Sequence, residues 1–283
     1  MLRLHILPTL GQVKLQKLSP QHVQRLYILK KQAGCGPSTI RQMHQILHRA
    51  LDDALRWNLV SRNVCDVVKR PPVPKKEMQA LTTIQAQHLL SAARGDRLEA
   101  LYVLALTTGM REGELLGLKW VDVDLEVGTV RIQRIVKRVA GQGMVVSEPK
   151  TRAGRRHITL SRLGIDALKK HRLRQQEARL LAGARWQDQG WIFSTKWGTP
   201  LDADSIRRTC FPQLLARAGL PRIRFHDLRH TAATLLLMLQ THPKIVQELL
   251  GHSNNSITLD IYSHVTPSLQ KEAVSSLERL LAN

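Results

Sequence analysis

The sequence predicts a mainly α protein with a small antiparallel β-sheet, divided into two domains. Three observations carry that expectation. Apolar residues recur at three and four over most of the chain, a helical period, while β-rich stretches are short and fall mostly within residues 129–160. Lys69-Arg70-Pro71-Pro72-Val73-Pro74-Lys75-Lys76 sets three prolines among four cations, which cannot continue a helix and reads as an extended, positively charged linker. At 283 residues, with 43% hydrophobic and 23% charged residues, the chain is long enough for two domains and apolar enough to fill a sizeable core.

Taken in order, Ser19-Pro20 places an N-cap before a proline at the first helical position, and Val23, Leu26, Tyr27 and Leu29 supply the apolar face. Pro37-Ser38 opens a longer helix that ends near Asn58, with Ile40, Met43, Leu47, Leu51 and Ala54 on one face and Arg41, His44, His48 and Arg49 on the other. The boundary falls in the linker, giving domains at 1–68 and 81–283 joined by 69–80. Thr82 or Thr83 caps a helix through Leu89, and a second, wholly apolar one runs from Leu98 to Leu106 before Gly109. Thr129 to Val136, Met144 to Ser147 and Arg156 to Leu160 predict one small antiparallel sheet, with Gly141, Gly143 and Gly154 at its turns. Helices return from Ser161, interrupted by a short Trp191–Ser194 strand.

The charge narrows the partner. A net charge of +21 points to a polyanion, nucleic acid before anionic membrane. Residues 1–78 hold 14 basic and 4 acidic side chains, a net +10, so the first domain is the more densely basic. The three cysteines form no C-x-x-C pair and are odd in number, which suggests neither a disulfide framework nor a zinc site and fits a reducing cytoplasm. The longest apolar run, Ala100 to Leu106, is far short of a membrane span, and Arg3, His5 and Pro8 break any signal-like start. A soluble, cytoplasmic protein is expected.

Six side chains carry the candidate chemistry. Arg111 stands in Thr108-Gly109-Met110-Arg111-Glu112-Gly113-Glu114 and Lys150 in Glu148-Pro149-Lys150-Thr151. His226 and Arg229 stand in Phe225-His226-Asp227-Leu228-Arg229-His230-Thr231, His252 in Leu250-Gly251-His252, and Tyr262 ten residues later. Singly each has a plain structural reading: a surface cation, a solvated or capping histidine, a core aromatic. Together they are two guanidiniums, two imidazoles, an ammonium and a phenol with no carboxylate cluster for a metal, an inventory suited to phosphoryl chemistry. His226 and Arg229, three apart, share a helix face and can aim at one anion.

Thr107 to Trp120, Glu148 to Leu160, Phe225 to Leu237 and His242 to Val265 resemble the tyrosine recombinases, in particular the integrases of phages and integrative elements. The resemblance implies an α+β catalytic domain within a two-domain DNA clamp, and site-specific DNA strand exchange without metal, ATP or any cofactor. It assigns Arg111 and Arg229 to the scissile phosphate, Tyr262 to nucleophilic attack giving a 3′-phosphotyrosyl bond, and Lys150 to protonation of the leaving 5′ oxygen. His226 becomes the base and acid for the phenol, His252 a phosphate donor, and Glu114 an orienter of Arg111. Lys137, Arg138, Arg152, Arg155 and Arg156 are expected as DNA-backbone contacts.

The partners it implies are double-stranded DNA attachment sites, three sister protomers in a tetramer on two duplexes, and an accessory DNA-bending or excisionase factor. The monomer is expected off DNA, with no membrane partner and a nucleoid-associated location. Leu269, Ala273, Val274, Leu277, Leu280 and Leu281 form a stripe suited to docking on a neighbouring protomer. The chain departs from the family pattern at Gln240, where a left-handed helix end favours glycine, at Asn255, and in residues 1–78, which match only the later part of a core-binding domain. Two other readings stay open: a catalytically inactive DNA-binding remnant, and a type IB topoisomerase that nicks and reseals.

Overall fold

The computed structural model describes residues 1–74, 79–139, 141–149, 154–251, 278 and 281. The chain forms two compact units, Met1–Glu77 and Met78–Asn283.

In the first unit a helical stretch at Leu2–Ile6 runs into α1 (Leu7–Leu10), followed by α2 (Pro20–Gln32) and α3 (Pro37–Arg56). Ser19 and Gly36 cap the two longer helices, with Pro20 and Pro37 at the first position, where the missing N–H costs nothing. Ile6, Val23, Leu26, Tyr27, Ile40 and Met43 form its core. His44, expected on the polar face of α3, is buried instead, its Nδ1 2.8 Å from the Tyr27 hydroxyl. The apolar stripe of α3 is wider than its aliphatic residues suggest, and a histidine can join it because the phenol satisfies its ring nitrogen. His48 bridges Asp52 at 3.0 Å and Asp66 at 2.9 Å, tying α3 to the segment that follows it.

The second unit is built around α5 (Glu99–Thr108), buried on every side from Ala100 to Leu106, as an all-round apolar helix must be. Each leucine fully buried there contributes about 1.5–3 kcal/mol. Around it lie α4 (Thr83–Ala92), capped by Thr82, α7 (Arg162–Ala182), capped by Ser161, and, later in the chain, α9 (Phe211–Arg217) and α10 (Asp227–Met238). The short α6 (Glu112–Leu116) and α8 (Ala203–Ser205) fill corners, and α11 (Pro243–Leu250) packs on α10 through Ala233, Leu237, Val246 and Leu250. No helix among the described residues is long and apolar enough to cross a membrane.

The β-structure differs from the expectation of one sheet. Among the described residues there are two, both antiparallel: β1 (Val123–Asp124), β2 (Thr129–Arg131) and β5 (His157–Thr159) in the order β1-β2-β5, and a hairpin of β3 (Ile135–Val139) and β4 (Gly143–Ser147). The run expected as one strand from Thr129 to Val136 is cut at Ile132–Arg134, where Arg134 turns aside to pair with the buried Asp122. Trp191–Ser194 is not a strand either. Lys119 and Trp191 make one isolated bridge, Ser194 and Pro200 another, while Ile192 and Phe193 are wholly buried. The fold is therefore mainly helical with small antiparallel sheets.

Candidate active site

Two left-handed glycines organise the site. Gly109 (φ 60°) ends α5, after which Met110 plugs into the core and Arg111 emerges as the N-cap of α6. Gly251 (φ 67°) ends α11 immediately before His252. Only glycine adopts this conformation without penalty, and each of the two turns its carbonyl toward an arginine. Arg229 Nη1 donates to Gly109 O and to Leu250 O, both at 2.8 Å, and Arg111 Nη2 donates to Gly251 O at 2.9 Å.

The run from His226 to Thr231 divides its work between chemistry and support. Asp227, buried, accepts from the Arg224 backbone N–H at 2.8 Å and from the Arg224 guanidinium at 2.7 and 3.1 Å, locking the loop that enters α10. Leu228 enters the core, and Thr231 Oγ1 donates to Asp227 O and accepts the Leu81 N–H at 3.0 Å. His226 is the N-cap residue of α10 and is exposed, with its ring edge-on to His230 at 5.0 Å between centroids. The protein around its inner edge, His230 and Arg229 push its pKa down to about 4. Solvent at its outer face moderates the burial contribution, and the neighbouring cations set the same direction. The imidazole is thus neutral at pH 7 and able to accept a proton.

Arg229 is 3% exposed, and its Nη2 has no hydrogen-bond partner among the described residues. Burial and the nearby Arg111 charge push its guanidinium down from the usual arginine value to about 9, still protonated at neutral pH. A buried cation with a free donor, repelled by a second cation, is relieved by an anion that both can hold. Glu114 steadies the first of the pair: it accepts from the Arg111 backbone N–H at 3.0 Å and from Arg111 Nη1 at 2.9 Å. Burial pushes the Glu114 carboxyl up, but Arg156 and Arg111 outweigh it and hold it below the usual carboxylate range.

A groove of about 710 Å³ opens beside these residues, lined by Arg111, His226, Arg207 and Arg224 among others. Arg207 grips Glu112 at its wall, Nε to Oε2 at 2.7 Å. Arg207 was not among the residues the sequence singled out. Arg156 is a correction: it was expected on the DNA backbone, yet its side chain is 9% exposed and bound to Glu114 and Leu249 O. Strand alternation was the available signal, since Arg156, Ile158 and Leu160 share one face and the latter two are core. Arg138 and Arg155 are exposed and pair with Asp202 and Glu148.

The structure brings Arg111, His226 and Arg229 to one place. Lys150, His252 and Tyr262 lie outside the described residues, as do Arg152, Asn255 and, but for Leu281, the apolar stripe of the C-terminal segment.

An arginine pair poised for an anion, in a chain of net charge +21, defines a protein that works on a phosphate-bearing polymer. The phage integrase family matches residues 74–268. A XerC-like tyrosine recombinase of Caldanaerobacter subterraneus subsp. tengcongensis is 35% identical over 289 aligned residues, 95% of this chain and 73% of that one. The ICEBs1 integrase of Bacillus subtilis is 28% identical, over 94% of this chain and 72% of its own. The Tn1549 transposon integrase in complex with transposon right end DNA is similar with a TM-score of 0.79 at 25% identity, covering 96% of this chain and 88% of that one. A lambda integrase dimer bound to a COC′ core site shares the fold, with a TM-score of 0.60 at 19% identity over 91% and 84% of the chains. The chain belongs to the phage integrase family and is a tyrosine-type site-specific recombinase of the kind carried by mobile elements.

Proposed function

We propose that this recombinase cuts and rejoins the attachment sites of a mobile element through a 3′-phosphotyrosyl intermediate. Arg111 and Arg229 hold the non-bridging oxygens of the scissile phosphate and stabilise the charge that grows in the transition state. Tyr262 attacks phosphorus as neutral His226 takes its phenolic proton, forming the Tyr262 O–P bond as the bond to the 5′ oxygen breaks. Lys150 gives that leaving oxygen its proton, and His252 donates a hydrogen bond to the phosphate. The reverse attack by a 5′ hydroxyl from the other duplex reseals the strand, so the phosphodiester bond energy is conserved and no ATP is needed. The six proposed donors, Arg111, Lys150, His226, Arg229, His252 and Tyr262, are cations and neutral groups with no carboxylate among them, which suits a reaction without Mg²⁺.

In this reading residues 1–68 are a core-binding domain, 69–80 a basic linker and 81–283 the catalytic domain. The protein is a monomer off DNA and a tetramer on two duplexes, acts at the nucleoid, and takes an accessory bending or excisionase factor for direction. Support for the assembly comes from a solved lambda integrase tetramer bound to a Holliday junction. The observation that carries the chemistry is the buried Nη2 of Arg229, without a hydrogen-bond partner among the described residues, beside Arg111.

The test is a suicide duplex, nicked so that the cleaved end diffuses away. Wild type is expected to form a covalent protein–DNA adduct that persists in excess EDTA, and Tyr262→Phe to bind the duplex without forming one. An undiminished adduct in Tyr262→Phe, or cleavage lost in EDTA and restored by Mg²⁺, would contradict the scheme. Adduct formation without exchange between paired sites would mark a topoisomerase.

A further inference from the structure

Three guanidiniums converge on the last turn of α11. Arg156 Nε donates to Leu249 O at 2.9 Å, Arg229 Nη1 to Leu250 O at 2.8 Å and Arg111 Nη2 to Gly251 O at 2.9 Å. The final carbonyls of a helix have no partner within it, and they form the negative end of its dipole, so cations are favoured there on both counts. Two of the three are the arginines proposed to hold the phosphate. The third is not in that set.

Arg156 has a second attachment. Its Nη1 and Nη2 donate to Glu114 Oε1 at 3.3 Å and Oε2 at 3.0 Å. The same two oxygens accept Arg111 Nη1 and the Arg111 backbone N–H. One carboxylate, 1% exposed, is thus shared between two arginines, each oxygen with a donor from either side. This arrangement limits how far Glu114 can neutralise Arg111. Without Arg156 the carboxylate would belong to Arg111 alone, and the Leu249 carbonyl of α11 would lose its donor.

We infer that Arg156 is a positioning residue for strand cleavage, which holds Glu114 and the C-terminal turn of α11 in register and so keeps Arg111 placed for the phosphate, with its charge only partly offset by the shared carboxylate. The inference rests on the function proposed above. Arg156 itself touches no reacting atom. Its role requires the planar fork of a guanidinium, which reaches a carboxylate with two nitrogens and a carbonyl with the third; a single ammonium cannot span the three acceptors.

The test uses Arg156→Lys, Arg156→Gln and Glu114→Gln/Arg156→Gln, the last because removing one partner leaves a buried carboxylate poorly compensated and the fold at risk. The readout is single-turnover adduct formation on two suicide duplexes of a sequence that wild type cleaves. One has an ordinary scissile phosphate, and in the other a methyl group replaces one non-bridging oxygen, cancelling the charge the arginines hold. DNA affinity and thermal melting are measured beside it. All three variants are expected to slow cleavage of the ordinary duplex by on the order of 100-fold, the scale of a small misplacement of a catalytic group, with affinity nearly unchanged. On the uncharged duplex the slowing should largely disappear. Equal slowing on both duplexes, a defect confined to affinity, or loss of cooperative melting in all three variants would each overturn the inference. So would variants that cleave like wild type, with the proposed chemistry left standing. A wild type that forms no adduct would overturn both.

Discussion

Replacing Gly109 by alanine is the sharpest probe of how the fold holds the arginine pair. The residue sits at φ 60°, where a side chain costs roughly 1 kcal/mol, and an added Cβ would run into Cδ2 of Leu250. Leu250 is wholly buried and cannot swing into solvent, so the overlap must be absorbed by moving α11 against α5, an overpacking cost of about 1–3 kcal/mol. The second unit should therefore lose about 2–4 kcal/mol in denaturant unfolding, the sum of these two contributions. The displacement falls on the two carbonyls that hold Arg229, Gly109 O and Leu250 O, so adduct formation should slow as well. Leu250→Ala alone costs about 2–5 kcal/mol through its cavity. Combined with Gly109→Ala it should cost less than the sum by about 1–3 kcal/mol, because the new methyl group enters space the leucine has left. Strictly additive losses would show that Gly109 and Leu250 do not press on each other and would refute the reasoning.

Gln240, at φ 58° beyond the end of α10, holds a left-handed conformation that glycine adopts without strain, so Gln240→Gly should stabilise the second unit by up to about 1 kcal/mol, read as a raised melting temperature; no gain would mean the side chain offsets its backbone strain. His171 is buried, with Nε2 2.7 Å from Ile192 O and burial pushing its pKa down. The unfolded chain then binds a proton that the folded chain refuses, so stability present above the ordinary histidine value of about 6.5 is lost as pH falls toward the lowered folded value. Melting temperature should drop between pH 7 and 5, and His171→Leu should flatten that slope, since Gln175 Nε2 still donates to Ile192 O; an unchanged slope would place the sensitivity elsewhere.

Much of the helical frame was legible in the sequence because its signals are local. Ser19-Pro20, Pro37, Thr82 and Ser161 announce helix starts through capping chemistry that needs no tertiary partner. The spacing of His226 and Arg229 likewise set both at the start of α10, near enough for the Arg229 charge to bear on the imidazole, and Glu114 was readable as a partner of Arg111. What escaped depends on partners distant in sequence. Arg134 cuts a continuous β-rich run because Asp122 waits for it in the core, and His44 goes inside because Tyr27, 17 residues away, offers a hydroxyl. Arg156 looked like one more surface cation near Lys150, since its two acceptors, Glu114 and Leu249, lie 42 and 93 residues away. The carbonyls of Gly109, Leu250 and Gly251 could not be foreseen as the cradle of the arginines, because a backbone acceptor carries no side-chain signature.

The proposed role of the arginine pair is to serve nucleophilic attack by Tyr262 on a DNA phosphate. It is tested most directly by digesting the covalent adduct from a suicide duplex with protease and nuclease and sequencing the modified peptide by mass spectrometry. The expected product is a 3′-nucleotide attached through phosphate to the oxygen of Tyr262 and to no other residue. A nucleotide on any other side chain, or on Tyr262 through a 5′ phosphate, would contradict it.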